Sequence, residues 1–195
     1  MRISRVLFAG PATVLAVLAG CGGGSGGSTS AVNPNAKEHS PPGDIPDNQV
    51  FVPYRPAGGG YVVKVPEGWA RQVNGSTVIF TGNLNSVAVQ SMAAKKAPTV
   101  AQVRKTVVPQ LQRTTPGFRL VAVNTLRRPA GMAVHVVYES SSKANAVTGK
   151  RSQQTVERYL FFHHGREVVL TLAGPRGADN VDPWRTVSGS LRWTA

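Results

Sequence analysis

Cysteine is almost absent from this chain: Cys21 is the single one in 195 residues. One thiol closes no disulfide within the chain and supplies no thiolate metal cluster. Acidic residues are also few, 9 Asp and Glu against 22 Lys and Arg. No Walker, HExxH or EF-hand pattern occurs, so the motif-marked forms of nucleotide, zinc and calcium chemistry are missing. There is no long basic tract either. The pairs Lys95-Lys96, Arg104-Lys105, Arg127-Arg128 and Lys150-Arg151 are dispersed, which argues against nucleic acid as a partner. Finally, the apolar run from Phe8 to Leu18 falls short of the ~20 residues a helix needs to cross a ~30 Å hydrocarbon layer.

What is present begins with a leader. Arg2 and Arg5 precede that apolar run, the layout of a cleaved secretory signal. Leu18-Ala19-Gly20-Cys21 resembles the lipobox of bacterial lipoproteins. The resemblance implies cleavage between Gly20 and Cys21, diacylation of the Cys21 sulfur and a further acyl group on the new amino terminus. Two acyl chains hold a bilayer stably where one binds only marginally. The expected localisation is the extracytoplasmic face of a cell membrane. With Cys21 acylated, the mature chain has no free thiol. Residues 1–20 are then the signal peptide, 21–45 a Gly/Ser/Pro-rich tether and 46–195 one domain. The tether also matches G-x-S-x-G and G-x-G-x-x-G formally, between Gly22 and Gly27. Neither has the strand and helix that those motifs require.

Loss of the leader removes Arg2 and Arg5 and leaves 20 basic against 9 acidic side chains, net +11. Such a surplus suits anionic lipid headgroups or anionic wall polymers. Richness in Ala, Val, Gly and Arg also fits a GC-rich genome, and plain solubility is the simpler account.

Within the domain, Tyr61 to Val65 reads as a strand and Pro66-Glu67-Gly68 as a turn before Trp69. Asn74-Gly75 marks a hairpin leading to the strand Thr77–Thr81. Gly82-Asn83 turns again and Ser86 to Met92 alternates as a strand. Thr99 and Gln102 have capping-box spacing, and Val100, Val103, Val107 and Leu111 share one helical face. Pro109 lacks the amide that would bond the Lys105 carbonyl, so the helix is expected to kink or end near Val108. A four-strand meander follows, over 118–128, 132–140, 153–162 and 166–172. Asp182-Pro183 then starts a short helix with Asp182 as N-cap, and a tail segment carries Trp193. Tight turns require antiparallel pairing. The fold class is therefore α+β, an antiparallel sheet of about six to seven strands against one longer and one short helix.

Tyr61-x-Val63-x-Val65-Pro66-x-Gly68-Trp69, the hairpin with Phe80 and the element order over residues 50–195 resemble the PsbP-like family. That family includes extrinsic photosystem proteins and many lipoproteins of actinobacteria. The resemblance implies a non-catalytic binding or accessory module, and it carries over no catalytic residue and no cofactor.

The candidate binding residues are His135, Glu139, Glu157, His163 and His164. Glu139 and Glu157 are the two carboxylates expected within central strands, and His135 lies in the same meander. His163 and His164 are expected at a hairpin tip, where adjacent strand side chains would point to opposite faces. Glu167 is the one carboxylate near enough to join them in a metal site, and exposed turn histidines are the simpler account. Trp69, Trp184 and Trp193 are expected in the core. No nucleophile is marked, so the chain is expected not to be an enzyme. Its function is read as a membrane-anchored, extracytoplasmic binding or accessory module, with an envelope protein or anionic polymer as partner. The alternatives are an envelope hydrolase using His135, Glu139 or Glu157, and an electrostatic binder of anionic lipid or wall polymer.

Overall fold

Strands β8 (Gln153–His163) and β9 (Arg166–Pro175) are apolar on both faces. Such strands belong in the middle of a layered structure, covered from both sides. In the computed structural model, which describes residues 42–142, 149 and 151–194, they are central in a seven-stranded antiparallel sheet. Its order is β3-β4-β5-β9-β8-β7-β6, with β3 (Ala70–Asn74), β4 (Thr77–Gly82), β5 (Asn85–Ala93), β6 (Arg119–Arg128) and β7 (Gly131–Ser141). Helix α1 (Val100–Thr114) connects β5 to β6 and covers one face. There Val103 packs with Val123, Val134, Val136, Tyr138, Val156 and Leu160.

The other face carries a second layer. Strands β1 (Phe51–Tyr54), β2 (Tyr61–Pro66) and β10 (Arg192–Trp193) form a three-stranded sheet in the order β1-β2-β10, and helix α2 (Val181–Ser190) lies beside β2. Tyr61, Val63 and Val65 of β2 point inward with Trp184, Val187 and Leu191. They meet Phe80, Val87, Val89, Tyr159, Phe161, Val168, Leu170 and Leu172 of the large sheet. The architecture is α+β, with two helices and an antiparallel sheet of seven strands.

Four local expectations need correction. First, the sheet is accompanied by a second one. The strand 61–65 does not continue into the β3–β4 hairpin but pairs with β1 and β10. Second, α1 runs through Pro109 to Thr114, where Thr115 N–H closes onto Leu111 C=O at 2.9 Å. An interior proline costs roughly 3 kcal/mol. The packing of Val100, Val107, Val108 and Leu111 against the sheet outweighs it. The N-terminus forms as expected, with Thr99 Oγ1 accepting from Gln102 N–H at 3.1 Å.

Third, α2 begins one residue before Asp182, and its N-cap is Asn180, whose side chain does not cap. Asn180 instead accepts from Ile45 N–H at 2.8 Å and donates to Gly43 C=O at 3.0 Å and Asn85 Oδ1 at 2.9 Å. This buried amide network ties the entry of the domain to β5 and α2. Fourth, the β3–β4 turn is centred one residue later than the Asn-Gly pair. Asn74 pairs with Thr77, and Gly75 at φ +57° is the first of the two central residues.

Of the tryptophans, Trp184 is buried, while Trp69 and Trp193 are partly buried against the same cluster. Among the described residues no helix is long and apolar enough to cross a membrane.

Candidate functional site

Strand register decides which polar side chains meet. Glu157 and Tyr159 are two residues apart on β8 and so share the face beneath α2. The β7–β8 register sets His135 opposite Tyr159. The His135 ring stacks on Tyr159 with centroids 4.4 Å apart, and its Nε2 lies 2.9 Å from Glu157 Oε2. The Tyr159 hydroxyl donates to the same carboxylate oxygen. Arg128 of β6 places its guanidinium 5.6 Å from the centre of the Tyr159 ring and donates from Nε to Ser188 Oγ at 3.0 Å. Ser188 is fully buried.

Burial of this group works to raise the Glu157 carboxyl, but hydrogen bonds from His135 and Tyr159 and the charges of His135 and Arg128 outweigh it. The carboxyl is held below its ordinary range. Tyr159 is pushed up to about 12, first by burial and then by its bond to Glu157. The arrangement holds a partly exposed carboxylate beneath α2 with its donors directed at it.

The remaining candidates lie apart from it. Glu139, at the far end of β7, receives a bidentate grip from Arg119, with Nε 3.0 Å from Oε2, and a longer contact from Arg176 at 3.7 Å. The hydrogen bond from Arg119 holds its carboxyl below the ordinary range. His163 and His164 stack on each other, 3.9 Å between centroids, and His163 stacks on Trp193 at 5.1 Å. The expectation of opposite faces gives way because His164 leaves the strand at φ +43° in the turn. Both histidines line a cavity of about 490 Å³ with Gly60, Arg166, Trp193 and Thr194. Glu167 projects to the opposite face, where burial raises its carboxyl against the pull of Arg158. Among the described residues no three His, Asp or Glu side chains gather as metal ligands would. Cys21 and Gly20 lie outside the described residues.

The largest of the four cavities described in the domain, about 580 Å³, lies elsewhere, between the C-terminal half of α2 and the outer face of the three-stranded sheet. It is lined by Pro53, Arg55, Val62, Lys64, Arg185, Thr186, Gly189, Ser190 and Arg192. Its construction follows from strand alternation. Tyr61, Val63 and Val65 turn inward, so Val62 and Lys64 turn outward. Pro53 is opposite Lys64 and Arg192 is opposite Val62. Lys64 N–H donates to Ser190 Oγ at 2.8 Å, which docks α2 at the rim. Arg192 Nη1 donates to the carbonyls of Gly189 and Leu191, both at 2.7 Å, at the end of the helix. His135, Glu139 and Glu157 line none of the four cavities. Sequence reading missed these cations. Period-2 alternation marks Lys64 as outward, but the strand order β1-β2-β10 is what brings the four together.

Neither a protein-family model nor a curated protein sequence matches the chain. Solved structures do. The cyanobacterial PsbP protein CyanoP of Synechocystis sp. PCC 6803 aligns at 14% identity over 78% of this chain and 98% of its own, with a TM-score of 0.53. The Saccharomyces cerevisiae Ran-binding protein Mog1p aligns at 11% identity over 74% and 95%, with a TM-score of 0.50. LpqN of Mycobacterium tuberculosis, described as involved in cell envelope biogenesis, aligns at 15% identity over 76% and 93%, with a TM-score of 0.44. At such identities the likeness to CyanoP and Mog1p is one of fold: this chain has the layered α+β architecture of those two proteins.

Proposed function

We propose that this chain is a lipoprotein anchored through Cys21 to the extracytoplasmic face of a bacterial membrane, and that its domain works by binding, as an accessory to other envelope components. The observation that carries the binding half is the disposition of polar groups. The cluster of His135, Glu157, Tyr159 and Ser188 is hydrogen-bonded within itself beneath α2 and lines none of the four cavities described, while the largest of those four is ringed by cations and has no carboxylate in its lining. General acid–base catalysis needs a titratable group within reach of a bound substrate. Here that cluster and the described cavities are separate, and the histidines that do line a cavity, His163 and His164, have no carboxylate beside them in its lining. The Ran-binding description of Mog1p supports the view that this scaffold serves recognition.

Two measurements test the proposal. Intact-mass spectrometry of the protein from its native membrane should find the leader gone and Cys21 acylated; a bare thiol or a retained leader refutes the anchor. His135→Ala and Glu157→Gln variants that remain folded should support the protein's envelope phenotype as the unsubstituted chain does. Complete loss of phenotype in both, with melting curves still cooperative, would overturn the binding reading in favour of a hydrolase.

A further inference from the structure

We propose that the cavity between α2 and the outer face of the three-stranded sheet binds the phosphate of an anionic phospholipid headgroup. This rests on the reading of the chain as a membrane-anchored binding module and adds the ligand and its site. Arg55, Lys64, Arg185 and Arg192 converge on the one concavity. Arg185 is paired, at 2.7 Å, with the exposed Asp182 on its own helix. Among the described residues Arg55 and Lys64 have no ion pair, and Arg192 contacts only main-chain carbonyls.

Several arginines elsewhere are engaged. Arg119 and Arg176 hold Glu139, Arg128 reaches Ser188, Arg158 reaches Thr171 and Arg166 reaches Ser91. Other cations, such as Lys95, Lys105 and Arg113, line none of the cavities described; the four at this one are also exposed but share a single lining. Of the four cavities described, this is the one lined by four cations.

Like charges crowded into a concavity repel one another and focus a positive potential there, and a bound anion relieves both. Three of the four are guanidinium groups, whose planar forks match the oxygens of a phosphate. The Thr186 hydroxyl is a further donor at the lining, and Pro53 and Val62 present carbon to the glycerol part of a lipid. For a chain held at a membrane, headgroup phosphates are the phosphate esters most consistently within reach.

The test uses the mature chain, residues 21–195, with Cys21→Ser so that no acyl group contributes. Its partition onto phosphatidylglycerol–phosphatidylcholine vesicles is measured by sedimentation in about 0.15 M salt, with inorganic phosphate as competitor. Arg55→Gln/Lys64→Gln/Arg192→Gln should weaken partition roughly a hundredfold. The double variant that keeps Arg192, and with it the end of α2, should lose roughly thirtyfold. Lys95→Gln/Lys105→Gln/Arg113→Gln removes the same charge elsewhere and should cost at most about threefold.

Equal losses in the two triple variants, or equal binding to pure phosphatidylcholine, overturn the proposal. Thermal stabilisation by inorganic phosphate that the pocket variant lacks, without preference for phosphatidylglycerol, overturns the lipid as ligand and reassigns the site to a soluble phosphate ester. Preference for an isolated wall polymer over the vesicles likewise overturns it. The anchor is read from the mass of Cys21 in the native protein, so a failed vesicle result leaves the anchoring reading standing.

Discussion

Leu84 and Glu157 are residues whose behaviour can be foretold from their own surroundings. Leu84 adopts φ +63° beside Asn83 at φ +46°, in the two-residue turn between β4 and β5, and it is 65% exposed. A left-handed conformation costs an L-residue roughly 1–2 kcal/mol, and glycine avoids that cost while losing more chain entropy. Leu84→Gly should therefore raise unfolding free energy by about 0.5–1 kcal/mol in denaturant titration. A lower midpoint would mean that the leucine side chain contributes more than its exposure suggests.

Glu157 has the opposite character. Its folded carboxyl lies below the ordinary value of 4.5, because His135 and Tyr159 bond to its charged form against the effect of burial. The stability it contributes is thus present above that ordinary value and lost as pH falls through the lowered one. Glu157→Gln should cost about 1–2 kcal/mol at neutral pH. The gap to the unsubstituted protein should narrow as the solution is taken to about pH 3. A gap constant with pH would show that the charge is irrelevant.

At the scale of elements, the seating of α2 on the large sheet depends on one missing side chain. A Cβ at Gly174 would stand 2.1 Å from Asn85 Oδ1, 2.9 Å from Asn180 Nδ2 and 3.2 Å from Trp184 Cζ2. The two amide atoms belong to the network that ties β5, the N-terminus of α2 and Gly43 together. Gly174→Ala should destabilise by at least about 2 kcal/mol, since overpacking and broken buried hydrogen bonds combine. Gly58→Ala, with nothing within 4 Å of its Cβ, should stay within about 0.5 kcal/mol and serves as the control. Comparable melting shifts in the two variants would refute this account. Helix α1 teaches a related lesson. Local propensity predicts a kink or an end near Val108, and tertiary burial of Val107, Val108 and Leu111 carries the helix on through Pro109 to Thr114.

For the whole molecule, the proposed anchor and the proposed pocket make separable demands. Acylation of Cys21 supplies strong, salt-insensitive attachment, whereas a cationic cavity supplies weak attachment that salt screens. Cys21→Ser should move the protein from the membrane fraction to the soluble fraction at physiological ionic strength, with residual retention that disappears in high salt. A Cys21→Ser protein still fully membrane-bound in high salt would contradict the anchor.

Much of the domain was legible because the relevant physics is local. Alternation in β2 and β5 follows from period 2. The start of α1 follows from Thr99. The hairpins follow from Gly75 and the His164-Gly165 pair, whereas the β4–β5 turn falls on Asn83-Leu84, one residue later than the expected Gly82-Asn83. The α+β class itself follows from two amphipathic helices and strands joined by tight turns. By itself the sequence also determined the composition of residues 1–20 and the net charge, since neither needs a contact. Tertiary structure alone decided which polar groups meet. His135 and Glu157 come together through the register of β7 and β8, while Glu139, on the same strand as His135, is gripped by Arg119 instead. Arg55, Lys64, Arg185 and Arg192 converge because β10 returns beside β2, more than 120 residues along the chain, and α2 closes over its edge. Strand order and register are set by the sum of many long-range apolar contacts, and no short window of sequence contains that sum.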